Sequence, residues 1–147
     1  MVLPVVQYIP ILIMAKVING VNDFASNYPD AATEWHPSLN GNLTPNMIGR
    51  RSNKDYYWLC KKGHTYILSA DKRGACNQGC YYCSNRRLLV GFNDLRTVSP
   101  EDADEWDYEL NSDKPEDHTY VEYYRAHWIC GECGHKWEAP IRSKVSS

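Results

Sequence analysis

Phenylalanine is scarce in this sequence, with two residues among 147, and methionine occurs three times. The apolar load falls instead on 5 Trp and 11 Tyr, aromatics with a polar handle that suit half-exposed surfaces better than a deep core. Net charge is nearly absent too. Lys+Arg 16 against Asp+Glu 18 leaves -2, which singles out no partner from the chain as a whole. No apolar run reaches the length of a membrane span. Residues 1–15 (MVLPVVQYIPILIMA) come nearest, but Pro4, Gln7 and Pro10 interrupt them, and a spanning helix takes about 20 apolar residues. The length fits one domain or two very small ones, at about 100–200 residues per domain, and excludes a large enzyme scaffold. With 43% hydrophobic and 23% charged residues and a mean hydropathy of -0.57, most of the chain is expected to fold.

The first fifteen residues bear on compartment. A secretory leader needs a cationic start and an unbroken apolar stretch, and this segment has neither. Val2, Val5, Val6, Ile9, Ile11 and Ile13 suit a strand or an apolar lead-in, and Met14-Ala15-Lys16 suits an alternative start of translation. Six cysteines then read as metal ligands in a reducing, cytoplasmic setting rather than as three disulfides.

The chain repeats itself once. Asn22-Asp23 recurs as Asn93-Asp94, Pro29 as Pro100, Ala32 as Ala103, Glu34-Trp35 as Glu105-Trp106, Leu39-Asn40 as Leu110-Asn111 and Gly63-His64 as Gly134-His135, always 71 residues on. Trp58 and Cys60 recur at Trp128 and Cys130, 70 residues on. Lys16 to Gly20 likewise stands where Arg87 to Gly91 stands before the second copy. A first unit over 16–91 and a second over 92–147 are expected.

Each unit opens on helical signals. Asn22-Asp23 and Tyr28-Pro29-Asp30 suit caps, and Ala31 to Trp35 suits a helical turn that Pro37 stops. Ser38 to Pro45 is turn chemistry. Tyr56 to Leu59 and Thr65 to Leu68 are β-prone runs flanking Cys60-Lys61-Lys62-Gly63-His64, so a hairpin carrying ligands in its turn is predicted. Ser84 to Leu89 suits a short helix ended by Gly91. Trp35 and Trp106 are expected to pack each opening helix on its hairpin. The fold class is small α+β, as tandem units of short helix, hairpin with metal knuckle, and short helix.

Cys60 and His64 form CxxxH, and Cys80 and Cys83 form CxxC sixteen residues later. Paired ligands at each end of a short loop close a tetrahedral zinc site, and four protein ligands leave no open position for a substrate. Cys76 competes: Cys60, Cys76, Cys80 and Cys83 would make a four-thiolate site. The recurrence of Gly-His, where Cys76 has no counterpart, favours His64. In the second unit Cys130 and Cys133 make a CxxC with His135 nearby, and the sequence reaches Ser147 before any equivalent of Cys80 and Cys83. That site is completed by His118 or His127, by Cys76, by a partner chain, or it stays without metal.

These residues resemble a prokaryotic and phage family of probable zinc-ribbon or treble-clef repeats. The match rests on Asn22-Asp23-Phe24, Pro29, Ala32, Glu34-Trp35, Asn40-Gly41, Leu43-Thr44-Pro45, Trp58, Cys60, Gly63-His64, Tyr66 and Cys80-Tyr81-Tyr82-Cys83, and it covers nearly all of residues 16–147. Tyr81 departs from the family's proline between the paired cysteines. The resemblance implies a DNA-associated module of the kind often joined to a restriction or mismatch-repair nuclease domain, here without one.

The net charge conceals a division. Residues 50–96 hold ten basic residues and three acids, whereas residues 97–124 hold ten acids and one base, Lys114. Cations interleaved with Tyr56, Tyr57, Trp58, Tyr81 and Tyr82 suit phosphate contact and base stacking. Arg50, Arg51, Lys61, Lys62, Arg73, Arg86 and Arg87 are the expected nucleic-acid contacts, DNA first, with a helix at 84–87 offering Asn85, Arg86 and Arg87 to a groove. The acidic stretch 101–122 reads as a solvated face, as a docking site for a basic protein, or as a mimic of nucleic-acid charge by which a small phage-type inhibitor protein would occupy the binding groove of a nucleic-acid-processing machine. A metal-dependent nuclease would draw on His36, His118, His127, Asp30, Glu34, Asp107 and Glu109, but none stands in a nuclease spacing, so no catalytic activity is expected.

Overall fold

The computed structural model describes residues 16–147, and the lead-in or start expected over 1–15 lies outside the described residues. The described chain divides into two compact units between Cys80 and Tyr81. The sequence places that division after Gly91, eleven residues later. Residues 81–91 side with the second unit because Asn93 Nδ2 donates to the carbonyls of Tyr82 at 3.1 Å and Arg87 at 2.8 Å, as Asn22 Nδ2 donates to the Lys16 carbonyl at 3.2 Å in the first unit.

The first unit contains two helical turns, α1 (Phe24–Asn27) and α2 (Pro29–Ala32), then an antiparallel hairpin of β1 (Asp55–Leu59) and β2 (Thr65–Ser69), and the turn α3 (Ala70–Arg73). Asp23 explains why α1 starts where it does. Its carboxylate accepts from the Ser26 amide at 2.9 Å, satisfying a donor that a helix start leaves open, and from the Gly20 amide at 2.6 Å, which ties the preceding turn to the cap. Burial alone would raise the Asp23 pKa, but the hydrogen bonds from Ser26 and Gly20 outweigh it and hold the carboxyl below its usual value. The strands pair Tyr57 with Ile67 and Trp58 with Tyr66, and alternation turns Tyr56, Trp58, Tyr66 and Leu68 inward. Trp58 is fully buried, 5.2 Å from the Phe24 ring and edge-on to Trp35 at 5.3 Å. Its Nε1 donates to the Leu68 carbonyl at 3.0 Å, so the indole's one polar atom is satisfied in the core.

The second unit repeats this plan with α4 (Leu95–Val98), α5 (Pro100–Ala103), a 3-10 turn at Pro115–Asp117, the hairpin of β3 (Arg125–Ile129) and β4 (Lys136–Pro140), and α6 (Ile141–Ser146). Asp94 caps α4 through the Thr97 amide at 3.1 Å and the Gly91 amide at 2.7 Å. Trp106 stands edge-on to Trp128 at 5.4 Å, and Leu95, Ala103, Ala126 and Ile141 complete the core. Asn40 and Asn111 each bracket a strand residue: Asn40 exchanges two bonds with Tyr57 and Asn111 two with His127, all at 2.8–2.9 Å. The sequence offset falls from 71 to 70 in the turn just beyond these asparagines, because Trp106 Nε1 donates to the Asp113 carbonyl where Trp35 Nε1 donates to that of Leu43. The longer second knuckle restores it.

Two expected helices differ from observation. The turn expected over Ala31 to Trp35 ends at Ala32, and Trp35 instead forms a bridge with Trp58. Residues 84–89 form no helix, with a turn at 84–85, a bend at 86–87 and irregular chain at 88–89, since Asn85 takes a φ of 61° and the amides of Arg86 and Arg87 both reach back to the Tyr81 carbonyl, at 2.9 and 3.0 Å. No helix of the described residues is long and apolar enough to cross a membrane.

Candidate metal centre

The β1–β2 turn builds the first half of the site. Gly63 takes a φ of 90°, which side-chain-bearing residues rarely adopt, and donates to the Cys60 carbonyl at 2.9 Å. The Cys60 amide closes the turn on the His64 carbonyl at 3.0 Å, and the His64 amide points at Cys60 Sγ at 3.4 Å. The thiolate of a metal-bound cysteine is stabilised by such a donor. Cys80 and Cys83 supply the second half.

One ligand atom from each of Cys60, His64, Cys80 and Cys83 lies within 4.8 Å of the others, and Cys80 Sγ stands 3.6 Å from His64 Nδ1. The donor set fits zinc. Bonds of about 2.3 Å to sulfur and about 2.0 Å to nitrogen give tetrahedral edges of about 3.5–3.8 Å, the spacing of the Cys80 and His64 donors. The residues that would hold the ion are these four, three thiolates and an imidazole. Zinc there supplies folding free energy, since a closed four-ligand shell offers no vacant position. Cys76 is exposed and lies outside the group.

The second knuckle has the same backbone. Gly134 takes a φ of 73° and donates to the Cys130 carbonyl at 3.0 Å, and the Cys133 amide reaches Cys130 Sγ at 3.5 Å. Backbone hydrogen bonds from Cys133 and Glu132 pull the Cys130 thiol below its usual pKa. Cys133 and His135 are nevertheless exposed, and His135 stacks on Trp137 with centroids 5.9 Å apart. Among the described residues only the Cys60 group gathers donors for a metal. His118 does not join the second knuckle because both ring nitrogens are engaged, Nδ1 with Glu122 and Nε2 with Asp113, each at 2.7 Å. His127 faces Glu138 at 3.9 Å.

Among the expected nucleic-acid contacts, Arg50, Arg51, Lys61, Lys62, Arg86 and Arg87 are exposed or half-exposed. The Arg87 guanidinium lies over the Tyr81 ring at 4.3 Å. Arg73 is turned inward: its side chain is 11% exposed, pairs with Glu34 at 3.2 Å and donates to the Tyr66 hydroxyl at 2.9 Å. It is removed from the contact surface because leaving the partly buried Glu34 without its partner would cost free energy. Most of the groups considered for nuclease chemistry are occupied likewise, Asp30 being exposed at the surface. Glu34 accepts from the Tyr66 hydroxyl, Asp107 faces Lys136 at 3.2 Å, and His36 Nδ1 accepts from the Ser38 and Leu39 amides at 3.2 Å.

The acidic stretch is also internally engaged. Asp104 and Glu116 pair with Arg96, Asp107 and Glu109 with Lys136, Asp102 and Glu105 with Lys144, and Asp113 and Glu122 with His118. Sequence reading missed Lys144, which was detectable because it stands 71 residues after Arg73.

A family model described as a probable treble clef zinc finger domain matches residues 31–86 and again residues 102–147. The search of curated proteins finds no match.

Proposed function

The chain belongs to the family of probable treble clef zinc finger domains, and on that footing we propose that it is a structural-zinc module that binds nucleic acid, DNA in the first instance. The observation that carries the reading is the pairing of a closed donor set with outward-facing positive charge. Four protein atoms converge at the metal centre, and six of the seven expected cations stand at the surface of a chain segment that holds few acids. The zinc holds the surface and takes no part in a reaction. Catalysis is absent on this reading because no ligand position is left for water and the neighbouring carboxylates and imidazoles are bound up in the fold. A cytoplasmic setting accords with six thiols kept reduced.

The acidic stretch supports a structural role more than a docking role. Eight of its ten carboxylates share four basic groups of the unit, Arg96, Lys136, Lys144 and His118, so most of them already have a structural contact while the stretch stays net negative.

Salt titration of a labelled DNA duplex with the zinc-loaded chain tests the reading. Each phosphate contact should contribute about -0.9 to the slope of log affinity against log salt for duplex DNA. A steep linear fall, with the DNA left uncut, is expected. Absence of binding to any nucleic acid at low salt overturns it.

A further inference from the structure

Building on that nucleic-acid reading, we infer that a cleft in the first unit is a site for an unpaired, single-stranded stretch of polynucleotide, with phosphates on its cationic rim and a base against its apolar wall. The cleft lies between the lead-in at Lys16, the loop from Leu43 to Lys54 and the start of β1, and its volume is about 730 Å³. Lys16, Arg50, Arg51 and Lys54 line it, and among the described residues no carboxylate does. Arg50 is steadied by donation from Nη1 to Asn27 Oδ1 at 3.0 Å. Arg51 faces Asp71 at 3.2 Å with 74% of its side chain exposed, a surface pair of little net strength that a phosphate can replace. On the same wall Leu43 and Met47 are 45% and 54% exposed, an apolar surface that the face of a base can cover.

The second unit serves as an internal control. It keeps the backbone of this region: the Tyr120 amide donates to the Asn93 carbonyl at 3.1 Å as the Arg50 amide donates to that of Asn22 at 2.8 Å. The side chains are exchanged. Tyr120, Val121 and Tyr124 stand in place of Arg50, Arg51 and Lys54, while Asp113 and Asp117 stand in place of Leu43 and Met47. There Tyr124 is engaged within the unit, its ring stacked on His118 with centroids 4.3 Å apart. The fold therefore requires neither the cations nor the apolar wall of the first unit.

Charge and geometry choose the occupant. Residues 1–15 contain no acid, so they cannot neutralise four cations. A duplex presents phosphates but keeps its bases stacked away from an apolar wall, and reading its major groove takes a helix or a two-stranded ribbon. Among the described residues no helix lines the cleft, and of the two hairpins only Tyr56 of β1 does. An unpaired strand meets both halves of the cleft, since its phosphates and its base faces are accessible together.

The test is fluorescence anisotropy of the zinc-loaded full chain with a labelled twelve-nucleotide oligothymidylate, the matching oligouridylate and a twelve-base-pair duplex at one salt concentration. We expect at least one single strand to bind about ten-fold more tightly than the duplex. R50A/K54A should lower the salt slope on that strand by about 1.4, at about 0.7 per lost phosphate contact. M47Q, an exposed and charge-neutral substitution checked by thermal melting, should weaken the single strand while leaving the duplex within about two-fold. Equal affinity for duplex and single strands, or single-strand binding unmoved by both variants, overturns this inference while the broader reading stands. Failure to bind any of the three probes overturns both.

Discussion

Arg73 and Glu34 form an ion pair within the first unit, Nη2 to Oε1 at 3.2 Å, with 11% and 16% of their side chains exposed. In the second unit Lys144 and Glu105 take the same relationship at 2.8 Å. Both pairs tie the turn after the hairpin to the segment that precedes its tryptophan. In the first unit the Tyr66 hydroxyl joins them, donating to Glu34 at 2.6 Å, and burial followed by that bond pushes its pKa far above the usual tyrosine value.

Arg73→Ala should destabilise the first unit by about 2 kcal/mol, the scale of lost hydrogen bonds to a charged group in a partly desolvated site. Arg73→Lys should recover most of that, because lysine performs the task in the second unit. Urea unfolding of the zinc-loaded chain measures both. Nucleic-acid affinity of Arg73→Lys should stay within about two-fold of the parent, and a ten-fold loss in a stable variant would return Arg73 to the binding surface.

Cys80→Ser should release zinc and unfold the first unit. Structural zinc contributes about 10–16 kcal/mol of apparent binding free energy in zinc-finger peptides, comparable with the whole stability of a small domain. Cys76→Ser, at an exposed position outside the donor group, should leave both metal content and circular dichroism unchanged. Zinc retained by Cys80→Ser, with the unit folded, would refute the ligand assignment.

His118 makes the second unit sensitive to pH. Burial alone would lower its pKa, but hydrogen bonds to Glu122 and Asp113 outweigh burial and raise it. A raised histidine pKa means that the folded state holds the proton more tightly than the unfolded one. Its contribution to stability is therefore full below the ordinary value of about 6.5 and is lost as pH rises through the folded pKa. The urea midpoint for unfolding of the second unit, followed by its tryptophan fluorescence, should fall from pH 6 to pH 9, and His118→Gln should flatten that dependence. An unchanged slope in the variant would remove His118 as its cause.

The repeat and the hairpins were legible because they rest on local signals: Asn-Asp, Glu-Trp and Gly-His recur at a fixed spacing, and β-prone runs flank each knuckle. What those recurring residues do was legible only in part. Asp23 and Asp94 read as caps, but nothing local announces that Asn40 and Asn111 bracket strand residues 17 and 16 positions away. The helix expected at 84–89 failed because Asn85 adopts a left-handed backbone and the Tyr81 carbonyl captures two amides, neither of which composition reveals. Arg73 was misplaced for a related reason. A cation beside other cations looks like surface, and only its distance from Glu34 in space shows that it is internal.

Zinc K-edge X-ray absorption on the chain, combined with its zinc content, tests the metal centre most directly. The account predicts a four-coordinate ion with three sulfurs at about 2.3 Å and one nitrogen at about 2.0–2.1 Å, bound by Cys60, Cys80, Cys83 and His64. A shell of four sulfurs, or one containing a water oxygen, would contradict it.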